Sequence, residues 1–223
     1  MAILYETTLV PSKLELLTSW LPAQPWYLGS GHEPELTRVG GFRLDDPEGE
    51  VGIQFMVVTD GSGERATTYQ VPLTYRASAC ADADDGLICT AEHGVLGRRW
   101  IYDGTCDPVF AAQLVALIQG GTEAQSESVS NTPDPTVISQ SVASGHLTAI
   151  ESAVAVNGPH GTDLRITTAD ANGTRRHDLI VQVKRVLQPG DSDAAGRGGG
   201  AYVAAPWRLP DSTQVRSIFA TAQ

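Results

Sequence analysis

Residues 51–76 read VGIQFMVVTDGSGERATTYQVPLTYR. Val51, Ile53, Phe55 and Val57 alternate with Gly52, Gln54 and Met56, the period of a β-strand with one face toward a core. Asp60-Gly61-Ser62-Gly63 then supplies turn chemistry, and Thr67, Tyr69, Val71, Leu73 and Tyr75 repeat the alternation. This pattern predicts a β-hairpin, and the fold is built outward from it. On the N-terminal side, Ser12 and Glu15 have capping-box spacing ahead of Leu14, Leu17 and Leu21, which predicts a short helix ending at Trp20 or Leu21 before Pro22. On the C-terminal side an acidic loop (Asp82, Asp84, Asp85) leads to two further expected strands, LICTAEH (87–93) and RRWIYD (98–103). Asp107 is suited to an N-cap and Pro108 to the first helical position. Phe110, Leu114, Leu117 and Ile118 share one face of the helix that follows, and Gly120-Gly121 stops it.

The stretch GTEAQSESVSNTPDP (121–135) is polar, lacks periodicity and reads as a linker. Beyond it the pattern is mostly β. Ile150, Val154 and Val156 run to Asn157-Gly158, while Leu164 and Ile166 run to Asn172-Gly173, which suits a two-residue hairpin turn. HDLIVQVKRVL (177–187) is the expected return strand. AYVAAPWRL (201–209) and QVRSIFATA (214–222) are expected to pair. The fold expected is therefore α+β: an antiparallel sheet with flanking helices over 1–120, a polar linker over 121–135, and a second, mostly antiparallel β module over 136–223.

The 223 residues carry 15 Lys plus Arg against 26 Asp plus Glu, a net charge of -11. Such a field repels phosphate backbones and anionic membrane surfaces, so neither nucleic acid nor membrane is an expected partner. The acidity is uneven. Residues 1–120 hold 7 basic and 16 acidic side chains, residues 121–223 hold 8 and 10. The start MAILYETTLVPS lacks the cationic opening of a signal peptide, which sets the expectation of a cytoplasmic protein. Cys80, Cys89 and Cys106 form neither an even set nor a C-x-x-C pair, so no disulfide framework or structural zinc is expected.

Chemistry-bearing residues are sparse. The five histidines, His32, His93, His146, His160 and His177, are scattered without a nucleophile motif. The pairs His32-Glu33 and Glu92-His93 lack the further ligands that a metal requires, so no metal and no other cofactor is expected. Gly196–Gly200 lacks the Lys-Ser/Thr of a phosphate-binding loop and reads as a surface loop. The densest segment is EHGVLGRRWIYDG (92–104), where His93, Arg98, Arg99, Trp100, Tyr102 and Asp103 offer aromatic and guanidinium planes to a sugar or a protein partner. The alternative is that Trp100 and Tyr102 are core while the arginines pair with nearby acids. Trp20, Trp26 and Tyr27 form a second aromatic group open to the same two readings.

The run WLPAQPWYLGSG (20–31), the hairpin with TTYQVPLTYR (67–76) and RRWIYDGTCDPVFAAQLVALI (98–118) together resemble, in order and spacing, the N-terminal cap domain of actinobacterial maltokinases. AEHGVLGRRWIYDG (91–104) is similar to that of stand-alone actinobacterial proteins that carry a cap-like domain without the rest of the kinase. Pro25 stands where the family has an Arg. In the second half, HDLIVQVKRVLQPG (177–190) resembles a maltokinase N-lobe strand and its turn, and TDLRITTADANG (162–173) sits where that lobe's nucleotide-covering hairpin would. In that register Gln182 takes the place of the phosphate-binding Lys. Lys184 follows two residues on, on the same strand face and displaced by about 6–7 Å.

Phosphoryl transfer needs a carboxylate to orient the acceptor and Asp or Asn side chains to hold Mg²⁺. No HxDxxxxN-like segment occurs, and only 33 residues follow Gly190. The expectation is a protein with no catalytic residues, a binding or regulatory protein that the resemblance links to α-glucan, trehalose and maltose-phosphate metabolism. Its expected partner is a kinase or another enzyme of those pathways. The alternative is a sugar- or nucleotide-binding subunit of a split or degenerate sugar kinase. Self-association as a dimer is the general expectation for exposed sheet edges.

Overall fold

The structure is a computed structural model, described here for residues 8–29, 31, 33–61, 66–141, 149–169, 176–190 and 200–223. His32, His146, the turns expected at Ser62-Gly63 and Asn172-Gly173, and residues 196–199 of the glycine run lie outside them. Among the described residues twelve strands and two α-helices form, in the order β1 (Leu9–Val10), α1 (Lys13–Trp20), β2 (Leu36–Leu44), β3 (Gly52–Asp60), β4 (Thr67–Arg76), β5 (Leu87–His93), β6 (Gly97–Asp103), α2 (Pro108–Ile118), β7 (Ile138–Gln140), β8 (Ala149–Gly158), β9 (Gly161–Ala169), β10 (Arg176–Lys184), β11 (Ala201–Arg208) and β12 (Gln214–Ala222). The strands are antiparallel and the helices few, as an α+β reading requires.

Local sequence accounts for the helices. The Ser12 side chain accepts from the Glu15 amide while the Glu15 carboxylate accepts from the Ser12 amide at 2.7 Å, the reciprocal box anticipated from spacing. Asp107 caps α2 by accepting from the Val109 amide, and Pro108 occupies its first position.

The β3–β4 hairpin is the centre of the molecule. Its registers run from Gly52 opposite Tyr75 to Asp60 opposite Thr67. Both faces of β3 are buried, which explains the unbroken Phe55-Met56-Val57-Val58 run. Ile53, Phe55 and Val57 enter a core with α2, whereas Met56 and Val58 pack beneath α1 with Leu16, Leu17, Leu21 and Trp26.

The sheet runs β1-β5-β6-β4-β3-β2-β11-β12-β10-β9-β8, with β7 on β11. Strands from before and after residues 121–135 thus lie in one sheet, and the sheet also closes on itself. Past Lys184 the chain leaves β9 and runs along the first half of β4, with the Gln70 amide donating to the Arg185 carbonyl and the Leu187 amide to the Thr68 carbonyl, each at 2.9 Å. The second half of β4 pairs with β6. Strands β2, β3, β4, β10, β12 and β11 therefore complete a ring, joined at Trp207 opposite Gly40. Its interior holds Phe42, Phe55, Val57, Val183, Val203, Ala205 and Phe219, so residues of both halves share one core.

The polar stretch 121–135 is tied to this body. Gln125 exchanges both backbone hydrogen bonds with Arg43, at 2.8 and 3.0 Å, and Ala124 is buried. Its backbone groups find partners in the β2 edge, a pairing that its side-chain pattern does not announce. Strand β2 itself, LTRVGGFRL, had no alternation strong enough to predict it. Its Gly40 and Gly41 are unusual within a strand, and both are needed here. A Cβ at Gly40 would meet the Trp207 side chain at 3.0 Å, and one at Gly41, whose φ is +140°, would meet the Phe55 carbonyl oxygen at 2.1 Å.

Candidate functional site

The fold separates the sequence candidates into an interior group and a surface group. Trp26, Tyr102 and Asp103 are interior, at 0, 0 and 2% exposure. These three present almost no surface, and each makes contacts inside the fold. Arg185, itself fully buried, donates from Nη2 to the Asp103 carboxylate at 2.6 Å and to Thr105 Oγ1 at 2.9 Å, and from Nε to Thr162 Oγ1 at 2.8 Å. Its guanidinium lies over the Trp26 ring at 4.8 Å. The Tyr102 hydroxyl accepts from the Cys80 amide at 2.9 Å. The sequence did not single out Arg185, because its value lies in contacts with residues 23 or more positions away.

Tyr27 is half-buried. Its hydroxyl donates to Asp60 at 2.7 Å, its ring packs on Tyr69 at 5.4 Å, and burial, aided by Asp60, pushes its pKa up. It belongs with the aromatic cluster under α1.

The surface group lies on the β5–β6 hairpin, where His93, Arg98, Arg99 and Trp100 surround the turn Gly94-Val95-Leu96. His93 Nδ1 accepts from the amides of Leu96 at 3.0 Å and Val95 at 3.3 Å, and Arg99 Nη2 donates to the Leu96 carbonyl at 2.7 Å. The Gly94 amide donates to Thr8, fixing β1 beside the turn. The tip is therefore held in one shape. It presents Val95 at 59%, Leu96 at 42% and, from β1, Val10 at 63% exposure. Arg98 meets Glu92 at 3.0 Å across the hairpin, a solvent-exposed pair of little energetic consequence that leaves the guanidinium accessible. Trp100 is half-buried on the same face of β6 as Arg98. The sequence flagged the charged and aromatic residues here but not Val10, Val95 and Leu96, whose exposure depends on the hairpin and on β1.

The titration of His93 follows from this geometry. Burial, then Arg99 and Lys13, hold its pKa below the ordinary 6.5. The folded chain resists the proton, so the full stabilisation is present above that value and is lost as the pH falls through it. Protonation also removes the acceptor for Val95 and Leu96. Amide exchange at these two residues, corrected for intrinsic chemistry, is expected to reveal more frequent opening at pH 5 than at pH 7.5, and His93→Gln is expected to flatten that difference.

Gln182 and Lys184 lie on one face of β10, with the Lys184 ammonium donating to Gln182 Oε1 and Gln182 Nε2 to Asp163 at 3.4 Å. Burial raises the thiol pKa of Cys89, and burial with Asp103 pushes that of Cys106 up to about 11, so neither supplies a thiolate near neutrality. Among the described residues no three His, Cys, Asp or Glu side chains converge to hold a metal ion, and no helix is long and apolar enough to cross a membrane.

Two comparisons bear on this arrangement. The family model of the maltokinase N-terminal cap domain matches residues 20–107, less than half of the chain. No curated protein matches. The matched span begins at the last residue of α1, contains the β3–β4 hairpin and the β5–β6 tip, and ends on the N-cap of α2. Residues 20–107 are similar to the maltokinase N-terminal cap domain.

Proposed function

We propose that the chain is a binding or regulatory protein that acts by docking, and that the β5–β6 tip is the surface it presents. The cap-like domain supports a link to maltose and α-glucan metabolism, which makes a maltokinase, or a trehalose-synthase-type enzyme that feeds the same chemistry, the expected partner. The observation that carries the reading is the tip itself. Exposed Val95 and Leu96 stand on a turn fixed by His93 and Arg99, with exposed Val10 on the adjoining β1 and Arg98 and Trp100 on β6. Arg and aromatic side chains supply most interface energy, neighbouring aliphatic groups exclude water around them, and a pre-ordered turn loses little entropy on binding. The region 136–223 completes the ring that supports the cap-like domain, and under this reading its contribution is rigidity.

Titrating the purified chain with such an enzyme from the same organism tests the reading. A complex at micromolar concentration is expected, weakened more than tenfold by the pair Val95→Ser and Leu96→Ser, which lie in an exposed turn and leave the core intact. Absence of a complex at that concentration, or a complex indifferent to the tip, would refute it.

A further inference from the structure

A second site is built at the first turn of α1, where the acidic chain gathers cations. Strand β2 points Arg38 and Arg43 toward the sheet face that carries Gln54 and Tyr75, and Arg43 is the cross-strand partner of Gln54. Lys13, the first residue of α1, donates to Gln54 Oε1 at 2.7 Å and sits 5.1 Å above the Tyr75 ring. The Tyr75 hydroxyl donates to the same oxygen at 3.0 Å. With two donors on its oxygen, the Gln54 amide has one orientation, and its NH₂ group points at Glu127 Oε1, 2.9 Å away. Arg38 pairs with that carboxylate as well.

Glu127 enters over Gly41, where a Cβ would stand 2.7 Å from its Oε1, so the missing side chain is the space the carboxylate fills. Charge is left over. Three cations surround Glu127, with Asp45 close to Arg43. Arg43 is only 7% exposed, its Nε donates to the Ser126 carbonyl, and its buried Nη2 has no hydrogen-bond partner. Such an orphan is costly unless an acceptor reaches it. The Arg38 side chain, 40% exposed, leaves an approach from solvent.

We propose that Lys13, Arg38, Arg43 and Gln54 form an oxyanion site of the phosphate class that Glu127 occupies from within the chain, and that a phosphate group, free or as a monoester, takes the place of the Glu127 carboxylate. A dianion balances the charge that one carboxylate leaves, and its oxygens can reach donors that Glu127 does not satisfy. The Gln125–Arg43 backbone pairing stays in place when Glu127 withdraws, so displacement needs only the loop tip at 126–129 to move.

Calorimetric titration of the full chain and of Glu127→Gln with inorganic phosphate, and separately with glycerol phosphate, tests this, with sodium chloride at matched ionic strength as the control. Glu127→Gln is expected to bind at least one of the two phosphates at least tenfold more tightly than the unaltered chain, and Arg38→Met in the same background to abolish the gain. The tighter arm shows whether the site takes the free ion or an ester. A folded Glu127→Gln that treats both phosphates as it treats chloride, that binds no more tightly than the unaltered chain, or that is unaffected by Arg38→Met would overturn the proposal. On the unaltered chain, saturating phosphate is expected to speed amide exchange at Ser126–Val129. Unchanged exchange there would count against it independently of any variant.

Discussion

Replacing Arg185 with Met is expected to lower stability by about 3–5 kcal/mol, read as a fall in the urea midpoint at unchanged slope. The size follows from burial without compensation. Arg185 has no exposed surface, and its removal leaves the Asp103 carboxylate, 2% exposed, to the backbone and hydroxyl of Thr105, its other donors among the described residues. Thr162 Oγ1 loses the Arg185 donor while keeping its bond to Asn157, and Trp26 loses the cation over its ring. A typical domain has only about 5–15 kcal/mol in total, so one substitution removes a large part of it. The location sharpens the effect, because Arg185 is where the chain leaves β9 and joins β4 to close the ring. Asp103→Asn in combination is expected to cost less than the sum of the two single changes, since the uncharged amide no longer needs the guanidinium. A cost for Arg185→Met below about 1 kcal/mol would mean the pair is solvated.

Phe219→Ala is expected to cost a similar amount, about 3–5 kcal/mol, through a cavity that a closed ring cannot collapse to fill. All four phenylalanines of the chain touch in series. Phe219 from β12 lies 5.7 Å from Phe42 of β2, Phe42 stacks on Phe55 of β3 at 4.3 Å, and Phe55 meets Phe110 of α2 at 5.1 Å. The substituted residue is in the last strand, yet its aromatic neighbour Phe42 belongs to the first 120 residues. Protection of amides in β2 and β3 should therefore fall together with that in β11 and β12. A loss confined to β11 and β12 would show that the core is not shared.

What the sequence revealed and what it hid divide along contact range. The capping box at Ser12 and Glu15, the Asp107-Pro108 helix start and the β3–β4 hairpin are written within a few residues of each other, and each was legible. Strand β2 was not, since its glycines serve contacts with Trp207 and Phe55 that exist only after folding. Trp26, Tyr102 and Asp103 have the composition of a binding surface, but composition does not say which side of a strand finds an arginine from 82 residues further on. For Trp100 and Tyr102 the pattern allowed core or surface, and the answer differs between them: Tyr102 is buried on Cys80 while Trp100 keeps part of its surface. His93, Arg98 and Arg99 stood out as charged groups around a short loop, but the bonds of His93 and Arg99 to the backbone of Val95 and Leu96 were not legible. The neighbouring Val10, Val95 and Leu96 were not, because apolar residues at a turn look like core until β1 and the hairpin set their direction.

A ring closed by residues from both halves of the chain makes one body, from which the tip projects. Equilibrium unfolding in urea of two single-tryptophan variants tests it most directly, one retaining Trp26 in the cap-like domain and the other Trp207 in β11. The two fluorescence transitions are predicted to share a midpoint and slope once each variant is compared with its own circular dichroism curve. Separate midpoints, with either tryptophan reporting a transition that its own circular dichroism curve divides into two steps, would contradict the closed ring.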